Sequence, residues 1–464
     1  MSADRPNIVF ILADDLGYGD FGCFNYGISR TPAIDQLVRE GVCLTQHYSA
    51  SPVCAPARAS LLTGRYPHRT GAIDTFHMRG LDRIALRETT LGDLLKARGY
   101  VTGLVGKWHN GAIDPRYHPN RRGFDEFAGF RAGGQDYWNW RMDRNGSFSK
   151  ADGRYLTDVF TAEALEFLRR HRAEPFFLWL CYNAPHYPFE APEEVLKPYL
   201  ETGAFTRNVA AIYAMVEVMD RGIALVLEEV DRLGLRDNTL VMFSSDNGPQ
   251  MLGRGAESTV RFNCGFNGAK GLVWEGGIRL PMILRWPAGL DGGGRAIHDL
   301  VHFTDWLPTL LTIAGGEPPR DLRLDGESVL PLLRGERGKT PTTRFWQWNR
   351  YRPDGECNAA IRDGRWKLVR PWIRERMHMD PLDLQMDDDQ RDHPENYSDI
   401  RRDPWPEQKR GDAPRAQLFD IVNDPYERDD LAAQQPERVS RMSAELARWF
   451  EEVQQERATI DDVW

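Results

Sequence analysis

The sequence predicts an α/β protein with a large first domain and a smaller C-terminal one, and three observations carry that expectation. Residues 7–13 and 238–244 read as short buried strands rich in β-branched residues, the kind found in parallel sheets covered on both faces. Helical and strand patterns alternate between them, as they do where crossover helices connect parallel strands. From residue 341 the pattern changes to short strands at 345–349, 358–362 and 366–369, closed by a helix at 436–453. A chain of 464 residues is long enough for a large core and a partner domain, divided here into 1–340 and 341–464.

The first strand delivers Asp14 and Asp15 to its C-terminal end, where open α/β sheets bind ligands. Adjacent carboxylates repel each other unless a cation lies between them; the alternative is an Asp-rich turn capping the next helix. The strand at 238–244 leads to Asp246 and Asn247, so two strand ends present three carboxylates and an amide oxygen. These hard oxygens suit Ca2+ or Mg2+ better than zinc, which prefers imidazole or thiolate.

Helical patterns follow at 31–40 and 90–98. Between them Cys54 lies in a loop broken by Pro52 and Pro56, just before a helical run at 57–63 that Gly64 can end. A helix start favours a developing anion, and Arg58 adds a fixed charge one turn away. A free cysteine is otherwise most often a small buried hydrophobe. The strand 101–105 runs into Gly106, Lys107, Trp108 and His109, and on an extended segment Lys107 and His109 point to the same side. Residues 123–137 read as a loop. Asp136 and Trp138 are candidate substrate contacts there, among Tyr137 and Trp140, rings that form a binding platform or pack in the core.

A helix at 163–170 and a buried strand at 175–181 precede His186, which Pro185 and Pro188 frame in a rigid turn. A long helix spans 208–233, and the Gly-rich stretch 267–281 carries Lys270 on backbone that can approach a ligand closely. A helix at 305–314 and a polar linker at 334–343 lead to the small domain. Residues 371–414 are polar, rich in Asp and Arg and without periodicity, and read as a long excursion that is disordered, shapes a pocket rim or meets another subunit.

With 41% apolar and 27% charged residues the composition is that of a soluble globular protein. A net charge of −9 argues against a general nucleic-acid or membrane-surface binder. Six scattered cysteines indicate neither a disulfide scaffold nor a zinc ribbon. No apolar stretch is long enough to span a bilayer. Met1 leads directly into polar residues and a strand, so the protein is expected in the cytoplasm, or in the periplasm or outside the cell if a leader was removed.

Cys54-Ala-Pro-Ala-Arg58, followed by Leu62-Thr-Gly-Arg65, closely resembles the activation motif of the type I, formylglycine-dependent sulfatases. The family often has Ser where this chain has Ala57. Gly-Lys-Trp-His at 106–109, Ala-Pro-His-x-Pro at 184–188, Lys270-Gly271, Glu-Gly-Gly-x-Arg-x-Pro at 275–281 and residues 418–427 are also similar to family segments. The resemblance implies an alkaline-phosphatase-like fold: a large, mostly parallel sheet flanked by helices, with a small C-terminal domain of antiparallel sheet plus a helix. It implies that a formylglycine-generating enzyme oxidises Cys54 to formylglycine, whose hydrate is the nucleophile. Asp14, Asp15, Asp246 and Asn247 would then hold Ca2+ together with residue 54. Lys107, His186 and Lys270 would contact the substrate, His186 or Lys270 protonating the departing alcohol and His109 taking a proton. The expected substrate is a carbohydrate or aryl sulfate ester. The alternatives are a phosphodiester or phosphonate monoester hydrolase of the same superfamily and a non-catalytic binder of sulfated glycans with unmodified Cys54.

Overall fold

Asn7–Ala13 lies at the centre of a ten-stranded sheet, between Thr239–Ser245 and Phe176–Cys181 and parallel to both. The computed structural model describes residues 5–336, 342–409 and 411–461. Outward from Phe176–Cys181 come Val101–Lys107 and Glu126–Phe130, both parallel, then the antiparallel ribbon Arg141–Arg144 and Ser147–Lys150. On the other side Thr239–Ser245 pairs antiparallel with Arg279–Arg285, which pairs antiparallel with Val42–Tyr48, and Arg295–His302 runs parallel to Val42–Tyr48 at the edge.

The two-residue alternation of a strand explains why the central one is apolar throughout. Val9, Ile11 and Ala13 face one helical layer, packing with residues of Pro32–Glu40, Leu156–Arg170 and Arg207–Arg232. Ile8, Phe10 and Leu12 face the other, with Cys54–Thr63, Leu91–Ala97 and Trp306–Ile313. Each such fully buried large side chain contributes about 1.5–3 kcal/mol relative to exposure.

Thr343–Gln347, Ala359–Asp363, Trp366–Arg370 and Gln417–Asp420 form a separate antiparallel sheet. The helix Pro436–Arg457 covers it, setting Met442, Leu446, Trp449 and Val453 against Ile361, Leu368 and Leu418. The small sheet is joined to the large one by a buried ion group. Lys367 Nζ lies 2.9 Å from both Glu275 Oε1 and Glu427 Oε1, and Tyr48 O–H donates to Glu275 Oε2 at 2.7 Å.

Three expectations change. The helix expected at 57–63 begins at Cys54 itself. Glu126–Phe130, read as loop, adds a parallel strand beside Val101–Lys107. Residues 371–414 are not a featureless excursion. They contain the helix Pro381–Asp392, capped by Asp380, whose carboxylate accepts the N–H groups of Leu382 and Asp383. Ion pairs rather than an apolar stripe hold this helix, which hides it from a periodicity reading. Part of the linker read at 334–343 falls on residues 337–341, outside the described residues. Among the described residues no helix is long and apolar enough to cross a membrane.

Candidate active site

Ala13 and Ser245 are in register, so the two chains leave the sheet side by side. Asp14, Asp15, Asp246 and Asn247 follow them and are all buried. Asp15 turns at φ 63°, its N–H donating to Asp246 Oδ1 at 3.2 Å, and Asn247 Nδ2 donates to Asp15 Oδ1 at 2.8 Å.

Cys54 opens a helix in which every residue is buried and which Gly64 ends in the left-handed region, its N–H donating to Ser60 O. No side chain caps the helix start. Cys54 Sγ lies 3.5 Å from Asp14 Oδ1 and 4.0 Å from Asp15 Oδ1. Burial pushes its thiol up to about 12 against the pull of Lys107 and Lys270, so an unmodified Cys54 stays neutral. One turn on, Arg58 ties the helix to both strand ends. Its Nε donates to Asp246 Oδ2 at 2.9 Å and its Nη1 to the Lys107 carbonyl at 2.9 Å, while Nη2 lies 4.0 Å from Asp14 Oδ1.

Two ammonium groups neutralise the aspartates. Lys107 Nζ, buried, is 2.6 Å from Asp14 Oδ2, and Lys270 Nζ is 2.6 Å from Asp15 Oδ2. Burial alone would raise the Asp15 carboxyl, but Lys270, His186 and Lys107 hold it well below the usual carboxylate range. Asp246 is pushed up to about 6 by burial and by the charge of Asp14, against Arg58.

His186 Nε2 is 3.7 Å from Asp15 Oδ2, and Nδ1 lies 2.7 Å from the Tyr187 carbonyl. Burial, then the charge of Lys270, pulls the imidazole down to about 3. It is neutral at pH 7, and this network assigns its proton to Nδ1 and leaves Nε2 free. The strand ends at Lys107 and His109 takes φ 53°, so the same-side argument from strand alternation stops at Lys107. His109 nevertheless reaches the site. Its Nε2 is 3.1 Å from the Thr75 carbonyl and its Nδ1 has no partner, and burial and Lys107 hold the ring well below its ordinary value.

Ligand atoms of Asp14, Asp15, Cys54 and His186 lie within 4.8 Å of one another. Asp246 stands outside that cluster, with Arg58 on one of its oxygens and the Asp15 amide on the other. The Asn247 Oδ1 atom is buried without a donor. Clustered carboxylates with an orphaned amide oxygen beside them fit a hard divalent cation.

A cavity of about 320 Å3 opens over Cys54, His109, His186 and Lys270. Its far wall was missed in the sequence. Arg350 is held there by Asp74 Oδ1 and Thr75 Oγ1, both at 2.8 Å, with its guanidinium over the rings of Phe76 and Trp348. Asp387 and Arg391 come from Pro381–Asp392. No local pattern marks Arg350, since its partners are distant in sequence, but Asp380-Pro381 is a helix-start signal that points to the helix. Asp136 and Trp138 are not brought to this cavity. The Asp136 carboxylate turns back to accept the N–H groups of Trp138 and Asn139 and lines a neighbouring cavity, and Trp138, half-exposed, packs on Tyr155 with ring centroids 5.1 Å apart.

A family model described as Sulfatase matches residues 6–316, and one described as N-sulphoglucosamine sulphohydrolase, C-terminal, matches residues 266–403. Steryl-sulfatase of Mus musculus is 34% identical over 450 residues, which cover 78% of this chain and 69% of that protein. Arylsulfatase J of Mus musculus is 29% identical over 487 residues, covering 96% of this chain and 76% of that one. Among solved structures, Ps i-CgsB in complex with k-i-k-neocarrahexaose is similar at a TM-score of 0.80 and 29% identity, covering 96% of this chain and 93% of that one. The chain belongs to the sulfatase family, and its relatives are sulfuric ester hydrolases.

Proposed function

We propose that the protein hydrolyses a sulfate ester of a carbohydrate, using formylglycine made from Cys54 by a formylglycine-generating enzyme and one Ca2+ ion. The observation that carries this reading is the setting of Cys54. A thiol pushed up to about 12 is a poor nucleophile, yet Lys107, Lys270, Arg58, His109 and His186 are gathered around it. Asp14, Asp15, Asp246 and Asn247 would hold the ion, which would polarise the sulfate oxygens, and formylglycine would supply the hydrated aldehyde as nucleophile.

The other steps belong to the chain's own side chains. Lys107 and Lys270 meet the negative charge of the sulfate, and preorganised donors of this kind are worth about 3–4 kcal/mol each. Lys270, kept protonated by Asp15 against its burial, carries the proton that the departing alcohol oxygen needs, and His186 Nε2 stands on the same side. His109 Nδ1, neutral and unpartnered, accepts a proton. Arg58 fixes the helix start against both strand ends. A carbohydrate is favoured over an aryl group because Arg350, Asp387 and Arg391 bring charged groups to a cavity wall that Val53, Phe76, Met379 and Leu384 otherwise make apolar. The hexasaccharide bound by the similar Ps i-CgsB supports the same choice.

The test is the mass of the proteolytic peptide containing Cys54, followed by assays of matched sulfate and phosphate esters. The reading expects the aldehyde or its hydrate, sulfate release from sulfated saccharides, and none after Cys54→Ala. A fully converted protein that cleaves only the phosphate esters, or undiminished turnover in Cys54→Ala, would overturn it.

A further inference from the structure

We infer that a second cavity, of about 480 Å3 beside the catalytic one, binds a saccharide unit next to the one that is desulfated, so that the substrate is an oligosaccharide. This rests on the sulfatase reading above. The two cavities share two walls. The first is the segment 183–190, in which His186 faces the catalytic cavity, Glu190 lines the second and Tyr187 lines both. Tyr137 O–H fixes this segment at the carbonyls of Asn183 and His186, at 2.8 and 3.0 Å, and Tyr155 O–H fixes it at the Glu190 carbonyl, at 2.7 Å.

The second wall is Pro381–Asp392, in which Asp387 lines the catalytic cavity, Asp392 the other and Arg391 both. Asp383 anchors this helix. It is buried and takes Arg79 Nε at 2.7 Å, Arg401 Nη1 at 2.9 Å and Tyr351 O–H at 2.9 Å. The ridge between the cavities is therefore built from fixed parts, with the exposed ring of Tyr187 and the Arg391 guanidinium at its crest.

The lining suits a polyhydroxylated ring. Glu190 and Asp136 line it with carboxylate acceptors. Arg141, Lys150 and Arg391 supply donors in the same cavity. A sugar hydroxyl both donates and accepts, so one ring can add bonds to both sets, with Arg141 already pairing with Glu395 and Arg391 with Asp388 and Asp392. The volume lies within the ~300–1,000 Å3 common for small-ligand sites. Tyr187 offers the ring a flat apolar face at the crossing point.

Binding by Cys54→Ala, measured calorimetrically with Ca2+ present, tests the inference without turnover. The probes are size-defined tetrasaccharides of chondroitin 6-sulfate, heparan sulfate and ι-carrageenan, each against its own sulfated monosaccharide. At least one tetrasaccharide should bind ten-fold or more tightly than its monosaccharide. Asn139→Trp, which fills the second cavity from an exposed position, should abolish that preference, and Glu190→Gln should reduce it several-fold. Equal binding of tetrasaccharide and monosaccharide in every series would overturn the inference, as would a preference that survives both substitutions. Failure of the sulfatase reading shows separately, as a fully converted wild-type protein that releases no sulfate from any probe.

Discussion

Lys367→Met should cost far more stability than a lysine usually does. The ammonium is wholly buried between Glu275 and Glu427, 2.9 Å from an oxygen of each. At an effective dielectric of ~20 each contact corresponds to about 6 kcal/mol before the desolvation of three charges is subtracted. Removing one partner of such a buried group typically costs about 3–5 kcal/mol, because the charges left behind are uncompensated. The carboxylates are affected unequally. Glu275 keeps Tyr48 O–H and Arg279, at 2.7 and 3.3 Å, whereas Glu427 keeps the Glu275 N–H at 2.7 Å. Burial already pushes Glu427 up to about 7 with Lys367 opposing, so the substitution raises it further. A carboxyl raised in the folded state costs stability as pH climbs from its unfolded value through its folded one. The deficit of the variant against wild type should therefore grow between pH 5.5 and pH 8. Urea denaturation at both pH values measures it, and a loss below about 1 kcal/mol at pH 8, or one that does not grow with pH, would refute the reasoning.

Lys107→Ala leaves Asp14 only the Arg58 guanidinium at 4.0 Å and removes a charge from the site, so kcat for sulfate release should fall about 10²–10³-fold; a fall below ten-fold would contradict its assigned place. Dialysis against a chelator should abolish turnover, with Ca2+ restoring it better than Mg2+. In Cys54→Ala, where turnover plays no part, Ca2+ at a hundred times its Kd should add about 2.7 kcal/mol of stability. Burial pulls His47 down to about 3 and both His68 and His77 to about 4. A lowered folded value means that the unfolded chain binds more protons below pH 6.5. Each histidine should thus remove about 1.4 kcal/mol per pH unit as pH falls from 6.5 towards 4. A stability that is flat between pH 7 and pH 5 would contradict this.

Sequence and structure coincide most closely where burial on both faces demands an unbroken apolar run. Asn7–Ala13 is the clearest case, and it fixes where Asp14 and Asp15 leave the sheet. Glycines and prolines placed other boundaries, as with Gly64 after Cys54–Thr63 and the turn around His186. The edge was harder to read. In Arg295–His302 buried and exposed positions do not alternate cleanly, Arg141–Arg144 buries two adjacent residues and Ser147–Lys150 buries none, so none of the three gives a periodic signal. The far wall of the cavity was illegible for another reason. Arg350 with Asp74, and Asp387 with the Met78 N–H, are contacts between residues roughly three hundred apart in sequence, and pair specificity at that range leaves no local pattern. Asp136 and Trp138 stood near the right aromatic loop, but the backbone hydrogen bonds of the turn turned the carboxylate away from Cys54.

The burial of the Cys54 helix also sets an order of events during synthesis. All ten residues of Cys54–Thr63 are buried in the finished fold, with Cys54 lining the cavity, so the modifying enzyme proposed above would reach the thiol more readily while this segment is still an unfolded thread. The residues that seal it arrive late. Asp246, which locks Arg58, follows Cys54 by about 190 positions, and Lys270 comes later still. At about 5–20 residues per second a ribosome takes roughly 10–40 s to cover that distance. Until Thr239–Ser245 has been made and laid beside Asn7–Ala13, the central pairing that closes the site cannot form. On the proposed formylglycine reading, maturation would thus be a race against the chain's own completion, and the early position of Cys54 would give the oxidation its head start.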